Sequence, residues 1–339
     1  MSARRSFTLA ASVLLAVHLA AAGAGFLSPY SPITQNRTLP YAPPTRLRFV
    51  DEDGAFHLRP FVYAVDEEAS AAGAYREDRR QRFPVRFLVR DASEWGDGRL
   101  HLFGVDEPAH LFLLGADGFG RDQLSRLLHG ARISLFAGLL ATALSLGVGW
   151  LLGMLAGFYG RWVDVVLMRG AEVFLALPWL YLLFAVRAVL PLHVSAGQAF
   201  LLLVLVIGLV DWARPARLVR GVVLSARERN YVLAARGFGA SDLYLVRRHV
   251  APQTSGVLLT QAALLVPQYI LAEVTLSFFG LGVGEPDPSW GNMLAALQRY
   301  HVLASYWWMW LPGLALVPVF LAYFSLSEAL HARMGSSTR

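Results

Sequence analysis

Neither cysteine nor lysine occurs anywhere in the 339 residues. Without cysteine there is no disulfide framework and no thiolate metal site, and the redox compartment stays open. Without lysine there is no Walker A phosphate cradle, which needs G-x-x-x-x-G-K-[ST], so the glycine-rich run GADGFG at 115–120 is not one. All 30 basic residues are therefore arginine, a pattern that fits genomic codon bias better than chemistry. Charge is scarce too: 16% of residues are charged, against about 25% in soluble domains. The net charge of +6 does not read as nucleic-acid binding, because no interleaved aromatic and basic residues occur in the polar stretches.

What fills the chain is hydrocarbon. Hydrophobic residues make up 55%, and the mean hydropathy is +0.46. Apolar runs at 6–27, 133–158, 163–190, 197–213, 254–280 and 307–330 can each cross a hydrocarbon core of about 30 Å. The first follows Arg4 and Arg5 as a signal peptide would, but it is long enough to span and shows no crisp cleavage site, so it reads as an uncleaved helix. An all-α polytopic membrane protein with six spans is the expectation. Between the first two spans, residues 28–110 alternate apolar and polar side chains with Gly, Pro and Asp punctuation, which reads as short strands and turns. Asp53-Gly54 is a hairpin dipeptide within it. Next, 115–135 reads as a glycine-rich turn and a short amphipathic helix, with Leu124, Leu127 and Leu128 on one face and Arg121 and Arg126 at the head-group level.

Arginine position gives an orientation. The segment 214–253 holds Arg214, Arg217, Arg220, Arg227, Arg229, Arg236, Arg247 and Arg248 against only Glu228 and Asp242, while 191–196 and 281–306 hold Arg299 alone. The positive-inside rule then places both termini and 214–253 in the cytoplasm, with Arg121, Arg126 and Arg132 as a local exception on the outer side. Forty residues are far more than two spans need, and long ordered loops are usually functional. The stretch 216–235 reads as a helix leaving the bilayer. Ala234 and Ala235 allow close approach, and Gly237 and Gly239 allow a sharp or left-handed turn. Ser241 or Asp242 caps a second helix, DLYLVRRHV, which Pro252 ends. The expected product is an elbow with Leu243, Tyr244 and Leu245 at its apolar tip and Arg247 and Arg248 as rim. Such a tip fits a protein groove, and it fits a basic helix resting on anionic lipid equally well.

AARGFGAS…RRHVAP resembles the EAA loop of binding-protein-dependent ABC importer permeases. Ala234, Ala235, Gly239 and Pro252 match; Leu233 stands for the usual Glu, His249 for Ile and Ala251 for Leu. LLGADGFGRDQLSRLLHGARISL (113–135), WVDVVLMRGAEVFLALP (162–178), EVTLSFFGLGVGEPDPSWGNML (273–294) and WLPGLALVPVFLAYFSLSEAL (310–330) resemble the dipeptide, oligopeptide and nickel branch, particularly the C-type subunit of peptide permeases. Ala116 and Glu172 depart from it. The resemblance implies the type I ABC importer permease fold, with an N-terminal helix 1–27, a mostly β periplasmic insertion 28–112 and a permease core 113–335. It implies a bacterial inner-membrane subunit paired with a second permease subunit, two cytoplasmic ATPases below and a periplasmic substrate-binding protein above. ATP and Mg would be used by the partners, and no cofactor by this chain. Ala234, Ala235, Arg236, Gly239, Ser241, Leu243, Tyr244 and Pro252 would couple it to an ATPase. Peptides are the expected cargo; nickel, sugars, opines or another small solute remain alternatives.

Ionisable residues inside spans usually face a bundle interior or a water path. Arg169 and Glu172, spaced i and i+3, and Glu273 are the candidates here, read either as path residues or as structural pairs. Pro178 and Pro267 are expected to kink their spans, and Trp290 to anchor at the interface. His18, His193 and His301 are too scattered to bind a metal. A secondary transporter would show inverted repeats, and none is found; an intramembrane hydrolase would need a nucleophile with partners, and none is found either.

Overall fold

A computed structural model describes residues 3–65, 75–90, 100–191 and 194–336; His193 lies outside them. The chain opens with α1 (Ala3–Ala22) and a short α2 (Ala24–Leu27). Among the described residues the strands that follow are β1 (Arg48–Val50), β2 (Phe56–Val65), β3 (Glu77–Pro84), β4 (Arg86–Arg90) and β5 (Leu100–Gly104). They form one antiparallel three-stranded sheet in the order β1-β2-β3 and one antiparallel pair, β4-β5. The Asp-Gly dipeptide makes the β1–β2 turn: Gly54 takes φ +80°, and the amide of Ala55 donates to Asp51 Oδ1 at 2.8 Å. Val62, Phe83, Val85, Ala109 and Leu111 form the small core beneath these strands.

The rest is helical. Among the described residues, four helices are long and apolar enough to cross a membrane, at Arg5–Ala22, Gln123–Tyr159, Asp242–Phe278 and Trp307–Leu330. There are six if two bent pairs each count as one span, α4 (Arg161–Ala176) with α5 (Trp179–Val189) and α6 (Ala196–Val210) with α7 (Ala213–Arg227). The first pair bends by 92° at Pro178. Proline drives the residue before it out of the helical region, and Leu177 accordingly sits at φ −90°, ψ 139°. The next long helix, α10 (Ser255–Phe278), runs through Pro267 without a break.

Contacts divide the chain into two units. One comprises Met1–Leu14, Phe136–Leu276 and Pro318–Arg339, the other Leu15–Leu135 and Ser277–Val317. The second holds three differences from the sequence expectations. The amphipathic turn at 123–128 is not a separate helix: α3 (Gln123–Tyr159) runs 37 residues unbroken, started by Asp122, whose carboxylate accepts the Ser125 amide at 2.7 Å. Arg121 and Arg126 are buried rather than at a head-group surface, because Asp117 and Glu285 supply counter-charges. Trp290 is buried rather than an interface anchor. Ser289 and Asn292 form a capping box at the start of α11 (Trp290–Ala295), and the indole N–H turns inward to the Leu127 carbonyl at 3.0 Å. Trp307 and Trp310, at the start of the last candidate span, are exposed, where amphipathic rings suit an interface.

Candidate functional site

The segment 213–254 belongs wholly to the first unit. Its base is α7, which turns Ala213, Ala216, Val219, Val223 and Ala226 inward at helical spacing. Three glycines of α3, Gly149, Gly153 and Gly157, lie four residues apart and let the two backbones meet. A Cβ on Gly153 would fall 2.4 Å from the Ala216 carbonyl oxygen, and one on Gly149 would fall 2.6 Å from Pro215 Cβ. Small residues permit this approach, and membrane helices without a hydrophobic drive between them rely on it. Arg227 then caps α3, donating to the Gly157 carbonyl at 2.8 Å, a cation at the negative end of the helix dipole. Arg220 fixes α4 by a two-point bond to Asp164.

The helix expected over 216–235 breaks at Glu228 and Arg229. Arg229 is extended (ψ 140°) and starts α8 (Asn230–Gly237). Nothing in the side chains of SARERNYV forbids a continuous helix; the turn instead seats Val232 in the cluster of Met154, Phe158, Val219, Val223, Leu245 and Val250. The end of α8 is a Schellman motif. The amide of Ala240 donates to the Ala235 carbonyl at 3.1 Å, and that of Gly239 to Arg236 at 3.0 Å. Gly239 occupies the left-handed position with φ +82°, a conformation glycine adopts without a Cβ penalty. Ser241 caps α9 (Asp242–Leu245), accepting the Tyr244 amide at 3.4 Å.

Pro252 does not end this second helix. After α9 the chain forms a π turn over Val246–Val250 and a 3₁₀ turn over Ala251–Thr254, then enters α10. A proline lacks the amide and crowds the carbonyl four residues back; the local change of hydrogen-bond register accommodates both. Thr254 locks the junction, its hydroxyl donating to the Ala251 carbonyl at 2.7 Å and accepting the Trp150 indole at 3.1 Å.

The expected tip is divided by burial. Leu243 and Tyr244 are exposed, while Leu245 is fully buried and belongs to the core, contrary to its expected place at the tip. A helix of one turn must point one side inward, and Leu245 is the residue that α7 and α8 cover. Ala234 is exposed, and Ala235 packs partly against the cluster. Arg236 lies 5.5 Å over the Phe158 ring and 3.9 Å from Asp242. Phe238, which sequence reading passed over, is 92% exposed; a phenylalanine between two glycines was the available signal. His249 lies 5.7 Å from the Tyr231 ring and 5.6 Å from that of Tyr244. Ser241, Leu243, Tyr244, Arg247 and Arg248 line a shallow groove beside the tip.

The intramembrane candidates sit elsewhere. Arg169 and Glu172 pair with each other at 2.9 Å on the exposed side of α4. Glu273 is fully buried in α10. Sequence reading missed a buried polar knot at the α6–α7 bend, where Tyr269 donates to Ser145 Oγ at 2.9 Å and reaches Asp211 at 3.2 Å. It also missed Arg187, fully buried near the end of α5, where it donates to the Pro191 carbonyl at 3.1 Å. Among the described residues no group of His, Asp or Glu is placed to hold a metal ion.

Comparison with known proteins follows the same ground. A family model described as the inner membrane component of binding-protein-dependent transport systems matches residues 149–336. A Brucella ovis protein that carries a peptide permease name is 38% identical over 224 residues, 66% of this chain and 72% of that protein. The di/tripeptide transport system permease protein DppC of Pseudomonas aeruginosa is 40% identical over 219 residues, 65% of this chain and 70% of that one. A solved chain of the MetNI methionine ABC transporter, in inward facing conformations, covers 61% of this chain and 95% of its own length at 16% identity and a TM-score of 0.45, a likeness too weak to carry an argument. The matched region takes in the whole elbow and the glycine stripe of α3 that mounts it, and on that match the chain belongs to the family of binding-protein-dependent transport system inner membrane components.

Proposed function

We propose that this permease subunit imports di- or oligopeptides and receives the force for transport through the elbow at 231–252. The observation that carries the coupling role is the tip: Phe238, Leu243 and Tyr244 stand exposed on a mount that is itself packed, capped and ion-paired. Burying one such aromatic or aliphatic side chain is worth about 1.5–3 kcal/mol, so an exposed group of three, rimmed by Arg236, Arg247 and Arg248, suits a partner's groove. The partner is an ATPase subunit in the cytoplasm. The eight arginines of 214–253 support that side for the elbow and for both termini. The names of the relatives support the peptide cargo. ATP and Mg belong to the partner ATPases, a division supported by the absence of any lysine for a phosphate cradle. A second permease subunit and a periplasmic binding protein complete the assembly. Movement of the ATPases displaces a stiff element, and the spans respond as a two-state device.

Gly239→Pro tests the coupling. Proline holds φ near about −65°, whereas Gly239 needs +82°. The expected result is uptake reduced to about a tenth or less, with ATP hydrolysis and the level of complex in the membrane retained. Normal uptake by this variant overturns the coupling role.

A further inference from the structure

The second unit holds a concentration of buried charge that coupling does not use. Arg121 and Arg126 bracket the start of α3, with side chains only 4% and 2% exposed. Fixed groups hold both. Asp117 Oδ2 accepts Arg121 Nε at 2.7 Å and lies 3.5 Å from Arg126 Nε. Arg126 Nη1 donates to the carbonyl of Pro32 at 3.3 Å and, on the loop that carries Glu285, to that of Pro286 at 3.2 Å, so it is the Glu285 side chain and not the loop that gives way. One terminal nitrogen of each arginine meets the same carboxylate: Arg121 Nη1 donates to Glu285 Oε2 at 2.5 Å, and Arg126 Nη2 to Glu285 Oε1 at 3.0 Å. Glu285 differs from the other three charged members. It comes from a distant loop, and its side chain is 48% exposed. The neighbouring Gly284 has open space where a Cβ would be.

Two guanidiniums oriented in advance by buried partners make a receptor matched to one carboxylate, and preorganisation lowers the cost of filling it. The anion now in place is the one member that water already reaches. Exchange with an outside carboxylate keeps both charge-assisted bonds and leaves the arginines paired. Phe119, exposed and 4.7 Å from the Arg121 guanidinium, supplies an apolar wall beside the opening. The geometry points to a carboxylate socket made by Arg121 and Arg126, plugged in this state by Glu285, that takes the terminal carboxylate of a peptide when the plug withdraws. The depth of the guanidiniums favours a slender chain end over a broad protein surface. This inference rests on the peptide reading above and on the outward placement of this end of α3.

The test uses the assembled complex in lipid nanodiscs without binding protein, with trialanine and trialanine amide as probes. Glu285→Gln removes the anionic plug at nearly constant shape. The variant is expected to bind trialanine about tenfold or more tighter than the unmodified complex does, and to discriminate against the amide by a similar factor. Adding Arg126→Gln is expected to abolish the gain. A Glu285→Gln complex with an unchanged thermal midpoint that gains no binding, or that binds acid and amide equally, overturns the socket. Should that variant not assemble, Phe119→Cys provides a single thiol in a cysteine-free chain. During ATP-driven uptake, trialanine is expected to slow maleimide labelling at this position more than its amide does; equal rates overturn the proposal. Uptake separates the two claims. A complex that imports no peptide, yet whose Glu285→Gln form binds acetate, keeps the socket and loses the cargo. Peptide import with no gained carboxylate binding loses the socket.

Discussion

Phe238 and Leu245 lie close in sequence and carry similar side chains, yet one is 92% exposed and the other is not exposed at all. An acidic substitution therefore has opposite consequences at the two positions. Phe238→Asp touches no packed group and should leave the thermal midpoint of the complex unchanged while lowering uptake about tenfold or more. Leu245→Asp puts a charge in the cluster of Val219, Val223 and Val250 and should cost more than about 3 kcal/mol, seen as loss of assembled complex. Asp122 carries a pH dependence. Burial raises its carboxyl to about 7: Oδ2 accepts the Ser125 amide and hydroxyl, while Oδ1 is buried without a hydrogen-bond partner. Folded chains hold this proton between about pH 4 and 7, where unfolded chains have released it, so stability falls as the pH rises through that window. Thermal unfolding measured from pH 4.5 to 8 should show the decline, and Asp122→Asn should flatten it while keeping the cap on α3.

At the level of elements, the close seat of α7 on α3 is the feature with the sharpest consequence. Gly153 has no room for a side chain, so Gly153→Leu must push α7 and its Arg227 cap away from α3. A loss of about 1–3 kcal/mol is expected from such overpacking, read as a lowered thermal midpoint together with reduced uptake; an unchanged midpoint would show that the helices do not meet there. Much of this region was legible in the sequence. Gly239 and Ser241 carry their conformations in their residue types, as does Pro178, and Asp53-Gly54 announces a hairpin. Other elements were not legible, for reasons of packing. The break at Glu228 and Arg229 interrupts residues that favour helix, and only the seat offered to Val232 selects it. The burial of Trp290 depends on Gly130 and Ser134, far away in sequence. The π turn before Pro252 resolves a steric conflict that a sequence pattern reads as a stop.

On the scale of the whole molecule, few charges and long apolar runs already dictated membrane helices, while arginine placement supports an orientation by the positive-inside rule alone. What composition did not convey was pairing across distance. Arg121 and Arg126 read as head-group residues until Glu285, about 160 residues on, supplies their counter-charge. The central claim is that an apolar tip at 231–252 faces the cytoplasm and seats in an ATPase. Because the chain has no cysteine, Leu243→Cys gives one addressable thiol at that tip. Its reaction with a membrane-impermeant maleimide should be absent in intact cells, rapid in inverted vesicles stripped of ATPase, and suppressed when the ATPase subunits are added back. Labelling in intact cells, or labelling indifferent to the ATPases, would contradict the account.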